Sequence, residues 1–214
     1  MRTLRMKPHD TDGVLITFCG LDGCGKSTMI AKLSEHLSKK GERVTLTKQP
    51  SESVRRSDIF RTYMDSADHS AYNYRALSLL AASDRVQHSS CIILPALMRG
   101  ESVISDRYIY SCLANLRARG YKNDRWLYEI SKSIPRPDLA VFLDLPVSEA
   151  LSRVRSRPEE KDRYVDLELQ YRLREEYLRI CAAEGGLLVR SDSDIESALE
   201  QIIKKTDKIY GGKK

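Results

Sequence analysis

Short apolar runs alternate with longer segments whose apolar positions recur at helical spacing. Val14-Leu15-Ile16-Thr17-Phe18, Val44-Thr45-Leu46-Thr47, Ser102-Val103-Ile104-Ser105, Leu139-Ala140-Val141-Phe142-Leu143 and Leu187-Leu188-Val189 read as five strands. Runs that are apolar toward both faces suit a parallel sheet covered on both sides. Between them the spacing predicts a helix from Lys26 to about Lys39, stopping before Gly41, and another over roughly Tyr72 to Ser89. Pro95 is expected to interrupt any continuation of the latter toward Met98. Further helices are predicted near Ile109 to Ala118, Asp124 to Ser133, Val147 to Arg155, Leu167 to Ala183 and Asp194 to Lys208, with Gly211-Gly212-Lys213-Lys214 as a frayed end. Strand and helix alternating in this way imply right-handed crossovers and an α/β fold built on a doubly wound, five-stranded parallel sheet. No repeat, low-complexity stretch or linker divides the chain, so residues 1–214 read as one domain.

The first strand leads directly into Gly20-Leu21-Asp22-Gly23-Cys24-Gly25-Lys26-Ser27-Thr28. Gly, four residues, Gly, Lys and then Ser or Thr is the pattern of a phosphate-binding loop. Glycines permit backbone angles that other residues resist, so successive N–H groups can turn inward on an anion. The helix that follows adds its positive end. Lys26 supplies a point charge for the outer phosphates, and the Ser27 hydroxyl is the expected ligand of a Mg²⁺ that bridges two phosphates of a nucleoside triphosphate. The other possibility is a glycine-rich turn without a ligand, and the strand before and helix after the loop argue against it.

The bulk composition adds little to this picture. Hydrophobic residues make up 41% and charged residues 31% of the 214, as in an ordinary water-soluble protein. The net charge of +6 is compatible with nucleic acid, a membrane surface, an anionic small substrate or simply a solvated basic surface. No DNA- or RNA-binding motif is visible, and no apolar stretch is long enough to span a membrane. The basic start Met1-Arg2-Thr3-Leu4-Arg5-Met6-Lys7 is not followed by an apolar signal core. Cys19, Cys24, Cys91, Cys112 and Cys181 show neither pairing nor metal spacing, which reads as reduced thiols in a cytoplasm. His9, His36 and His69 are scattered, and His88 reads as a helix-packing residue. Cys24, near a helix N-terminus, reads as a permissive loop position in preference to a reactive thiol. Trp126, Leu127 and Ile130 read as core or dimer contacts.

Five further stretches carry a resemblance. They are Leu80-Ala81-Ala82-Ser83-Asp84-Arg85-Val86-Gln87-His88, Ile93-Leu94-Pro95-Ala96-Leu97, Val103-Ile104-Ser105-Asp106-Arg107-Tyr108, Phe142-Leu143-Asp144-Leu145-Pro146 and the basic stretch ending in Asp162-Arg163-Tyr164. With the phosphate loop, and in this order and spacing from about Val14 to about Ile203, they resemble the thymidylate kinase family of P-loop nucleoside monophosphate kinases. The resemblance implies ATP as donor, a pyrimidine nucleoside monophosphate as acceptor with dTMP foremost, and a homodimer. It implies that Arg107 grips the acceptor phosphate, for which a guanidinium is suited. Asp106 is then the acid that helps organise Mg²⁺, Asp22 faces the acceptor sugar and phosphate, and Ser111 lies near the acceptor. Pro50, in Lys48-Gln49-Pro50, ends the second strand where the family has Arg-Glu-Pro, and a cis peptide there is open. Arg61 lies near the family's second acceptor-phosphate arginine, with Arg55 and Arg56 as rivals. The segment of about 153–164 resembles the family's LID over ATP, and Arg153 with Arg157 or Arg163 are its candidate catalytic arginines. Some members carry an arginine inside the phosphate loop; here Gly23-Cys24 holds that place.

The departures cluster at the acceptor end. Cys19 and Gln49 replace glutamates, Ala81 stands where an aromatic ring often stacks on the base, and Asn115-Leu116 replace a Tyr-Gln pair. Arg85 keeps a position that reads the base edge. A lost stacking ring removes a contact worth about 1 kcal/mol, and Tyr72, Tyr74, Tyr108 or Tyr110 are the possible replacements. Asn115 also predicts that discrimination between deoxy and ribo acceptors is relaxed or made by other residues. A kinase for a modified or ribo pyrimidine monophosphate is therefore the second reading. A noncatalytic nucleotide-binding regulator is the third, against which Lys26, Asp106, Arg107 and the LID arginines weigh. The phosphate-loop reading predicts that Lys26→Ala abolishes phosphoryl transfer without unfolding the protein; near-normal turnover in that variant contradicts it.

Overall fold

The structure, a computed structural model, describes residues 3–66, 72–122, 124–161, 164–192 and 194–213. Arg163 and His69 lie outside them. Five strands, β1 (Val14–Cys19), β2 (Val44–Lys48), β3 (Ser102–Asp106), β4 (Leu139–Asp144) and β5 (Leu187–Arg190), form one sheet in the order β2-β3-β1-β4-β5. Every pairing is parallel. The all-parallel α/β sheet inferred from the alternation is therefore present. β1 is buried along its whole length at the centre. The edge strands differ from the expectation of two apolar faces: Leu46 on β2 and Leu188 on β5 are exposed, because an edge strand has a neighbour on one side only.

Helices flank the sheet: α1 (Lys26–Lys39), α4 (Tyr74–His88), α6 (Ile109–Ala118), α7 (Arg125–Ser131), α8 (Val147–Arg155), α9 (Leu167–Glu184) and α10 (Ile195–Lys213). α1 packs against α10 and the sheet, while α6 packs against α4 and α9. Two short helices, α2 (Glu52–Arg55) and α3 (Asp58–Asp65), follow β2 and were not predicted. Among the described residues, no helix is long and apolar enough to cross a membrane.

Two expectations are corrected. Pro95 does not interrupt the helical path: a π-helical turn, Ser89–Ile93, joins α4 to α5 (Leu94–Met98). Proline lacks an N–H and its ring needs room in the preceding turn, and a widened turn placed just ahead of it accommodates both. The tail is not frayed through Lys213. α10 includes Gly211 and Gly212, and the Lys213 ammonium donates to the Gly13 carbonyl at 2.5 Å and lies 3.2 Å from Asp138.

Asp138 ties three parts of the chain together. It accepts from the Leu15 N–H at 2.8 Å, and it lies 3.0 Å from the His9 ring and within reach of Lys213. Burial alone would raise its pKa, but His9, the Leu15 N–H and Lys213 together hold it below the ordinary aspartate value. A carboxyl depressed in the folded state stabilises the fold fully above its unfolded pKa and loses that contribution as pH falls through its folded one. Asp138→Asn is expected to lower unfolding stability at pH 7 by about 1 kcal/mol. In urea titrations the gap to the parent should narrow toward about pH 3, near the aspartate range; a gap independent of pH contradicts the assignment.

Candidate active site

The carboxyl ends of β1, β2 and β3 meet in register, with Phe18 and Lys48 both opposite Asp106. Ligands of parallel α/β proteins gather at such an edge. A cavity of about 520 Å³ opens there. All residues of 20–28 except Cys24 line it. Cys24 is fully buried, with its sulfur 3.8 Å from the Lys26 ammonium, so it packs inside the loop and does not face the cavity.

The phosphate loop takes its form from backbone angles. Gly20, Gly23 and Gly25 have φ values of 141°, 83° and 89°. Gly25 starts α1 with no side-chain cap and no acidic residue in the first turn, so the positive helix end faces the cavity unscreened by a carboxylate. The Lys26 ammonium is buried and donates to the Leu21 and Gly20 carbonyls at 2.6 and 3.2 Å. Ser27 and Thr28 are exposed to the cavity. At Gly23 the loop presses on α8: an added Cβ would lie 2.2 Å from the Ala150 carbonyl oxygen. A side chain at that position, arginine included, is excluded by this contact.

Opposite the loop stands Arg107. It is the one non-glycine residue with positive φ among those described, at 69°. Its N–H donates to the Phe18 carbonyl at 2.8 Å, which fixes the turn leaving β3. Strained backbone of this kind persists where the surroundings over-determine it. The guanidinium pairs with Asp22, donates to the Tyr177 hydroxyl at 3.1 Å and reaches the Gly20 carbonyl at 3.4 Å. Burial opposes its charge, but Asp22, Tyr177 and Asp106 more than offset that and push its pKa up. Beneath it Tyr177 donates to the Ser111 hydroxyl at 3.1 Å, and Ser111 faces the Cys19 sulfur. Burial raises the Cys19 thiol to about 11 and the Tyr177 phenol to about 12, so both stay protonated as neutral neighbours of the cation.

Asp106 lines the cavity with one oxygen 3.5 Å from Lys48; its other oxygen is buried and without a hydrogen-bond partner. An orphaned carboxylate oxygen in the cavity that Ser27 also lines fits a hydrated magnesium ion, which usually keeps several waters and few protein ligands. Among the described residues no cluster of three or more His, Cys, Asp or Glu side chains could hold a metal alone.

The other sequence candidates separate. Pro50, Arg85, Ser111 and Asn115 line the cavity. Pro50 follows a cis peptide. Arg61 does not line it: it sits in a shallow groove outside, 3.8 Å from Asp65. Arg55 lines the cavity instead, held by the Pro50 carbonyl at 2.8 Å, and burial together with Arg107 lowers its pKa. Of the LID arginines, Arg157 lines the cavity, whereas Arg153 donates to the Ser191 carbonyl at 3.2 Å and does not. Among the tyrosines, Tyr108 and Tyr110 are core residues, and Tyr108 donates to the Pro135 carbonyl at 2.7 Å. Tyr74 faces the cavity, joined by Tyr63 and Arg119, which sequence reasoning missed. The only signal for Tyr63 is an aromatic-rich stretch on either side of residue 70, and Arg119 has none.

A family model described as thymidylate kinase matches residues 18–202. A protein of Pyrococcus horikoshii named "Probable thymidylate kinase" is 42% identical over 194 residues, covering 89% of this chain and 94% of that one. One from Pyrococcus abyssi with the same name is 37% identical, with the same coverage. "Thymidylate kinase" of Trichlorobacter lovleyi is 35% identical over 196 residues, covering 86% of this chain and 92% of its own.

The Gly23 contact makes a prediction. Gly23→Ala is expected to cost about 1–3 kcal/mol in urea unfolding and to weaken binding of a fluorescent ATP analogue. Gly211→Ala, where an added Cβ meets open space, is the control and should lower neither, since alanine favours a helix over glycine. A Gly23→Ala protein with parental stability and affinity contradicts the close approach.

Proposed function

The chain belongs to the thymidylate kinase family, and from that premise we propose that it transfers the γ-phosphoryl group of ATP to dTMP, giving ADP and dTDP. One observation carries the proposal: a single cavity joins the glycine-bent loop at the start of α1 to the guanidiniums of Arg107 and Arg55. Donor and acceptor phosphates thus have separate electropositive seats that face each other. Phosphoryl transfer asks the protein mainly for positioning and charge stabilisation.

In this reading Lys26 leaves the loop carbonyls for the outer phosphates of ATP. Arg107 and Arg55 hold the acceptor phosphate, with Arg107 aimed by Asp22, Tyr177 and its own backbone. Arg55 takes the part that the sequence assigned to Arg61. Arg157 reaches the transferring group from the LID of about 153–164, and Arg153 steadies the LID base against Ser191. Such preorganised cations act most strongly where water is excluded. Ser27 and Asp106 would hold Mg²⁺, which supplies charge neutralisation across two phosphates of ATP when bound. Pro50, Arg85, Ser111 and Asn115 line the acceptor end.

The family reading also carries a homodimer. Leu79, Ile92 and Met98, exposed apolar residues along α4 to α5, support it, and sedimentation would test it. The five free thiols support a reducing compartment such as the cytoplasm.

The test is ADP release followed across a panel of nucleoside monophosphates. dTMP-dependent ADP release is expected; release indifferent to the acceptor, or none with any, overturns the proposal. Arg157→Ala is expected to lower kcat by about 100-fold or more with KM for dTMP little changed, and Arg153→Ala to lower it less. Equal and small effects of the two would contradict the LID assignment.

A further inference from the structure

The acceptor end lacks the ring that Ala81 would otherwise carry, and the structure fills that end from elsewhere. Tyr63 on α3 and Tyr74 on α4 place their rings 5.6 Å apart. The Arg119 guanidinium, just past α6, lies 3.8 Å from the centre of the Tyr74 ring. It donates to the Asn115 side-chain oxygen at 2.7 Å, to the Asn115 backbone carbonyl at 3.3 Å and to the Tyr63 hydroxyl at 3.1 Å. Asn115 in turn donates to the Ser111 carbonyl at 2.9 Å. Among the described residues Arg119 has these hydrogen bonds and its ring contact but no carboxylate partner, and all of these side chains line the cavity. A guanidinium has five N–H donors and no acceptor. From α4, Arg85 adds a second guanidinium, almost fully buried, whose Nε has no partner.

From this arrangement we infer that the Tyr74–Arg119 stack, braced by Tyr63 and Asn115, is the base-selecting wall of the acceptor end and takes a pyrimidine-2,4-dione. The inference rests on the acceptor reading of the cavity given above. A dione turns carbonyl oxygens toward the donors; the exocyclic amine of a cytosine would set N–H against N–H and leave buried donors unpaired. Sites that hydrogen-bond a substrate group reject analogues lacking it more strongly than purely apolar pockets do.

A structural alternative makes the inference testable: Arg119 ends α6, where any cation is favourable. Lysine keeps that charge but not the planar fork. The parent, Arg119→Lys, Arg119→Met and Tyr74→Leu are compared for kcat and KM with dTMP and dCMP, and for KM of ATP. In all three variants KM for dTMP is expected to rise about tenfold and the preference for dTMP over dCMP to fall about tenfold, with KM for ATP within about twofold of the parent. The ATP value reports that the protein is folded, and Tyr74→Leu stands in if the Arg119 variants fail to fold. Arg119→Lys with parental KM and parental preference overturns the inference and leaves a helix-end charge. A parent protein that releases no ADP with dTMP defeats the underlying acceptor reading instead, a result distinct from the first.

Discussion

β1 runs buried between β3 and β4, and the Arg107 N–H bonded to the Phe18 carbonyl ties the exit of β3 to the exit of β1. That link fixes the distance between the phosphate loop and the guanidinium facing it. The loop can bend only through glycine angles, and α8 packs against it so closely that Gly23 has no room for a side chain. Arg107 accepts a backbone conformation that a non-glycine residue resists, and Asp22, Tyr177 and Gly20 hold its side chain there. The site is thus tightly constrained on the side formed by the loop and Arg107. Further lining comes from α2, α3 and the segment after α8.

With position 23 closed to side chains, the loop itself offers no arginine there, and in the proposed function that cation comes from the segment after α8. Arg157 lines the cavity, while Arg153, one turn earlier, faces the end of β5.

Much of this was legible in the sequence, and the reason is local. Strand runs, the loop glycines, Asp106-Arg107 and the helices beginning at Lys26, Ile109 and Val147 are encoded within a few neighbouring residues. What was not legible depends on residues far apart. Arg61 and Arg55 differ by less than two helical turns in sequence, but the break between α2 and α3 sends one into the cavity and the other to the outside. α2 and α3 themselves are too short for a periodic signal. The tail helix continues through two glycines because Lys213 finds Gly13 and Asp138, some 200 and 75 positions away, as their numbers give. The wall of Tyr63, Tyr74, Asn115 and Arg119 likewise exists only once α3, α4 and α6 come together.

The central claim is that two phosphate seats face each other across one cavity. Titration calorimetry with an analogue joining adenosine to thymidine through a chain of phosphates tests it most directly. The account predicts one analogue per chain, bound more tightly than ATP or dTMP alone and displaced by either nucleotide. An analogue that binds no tighter than ATP and is indifferent to dTMP would contradict it.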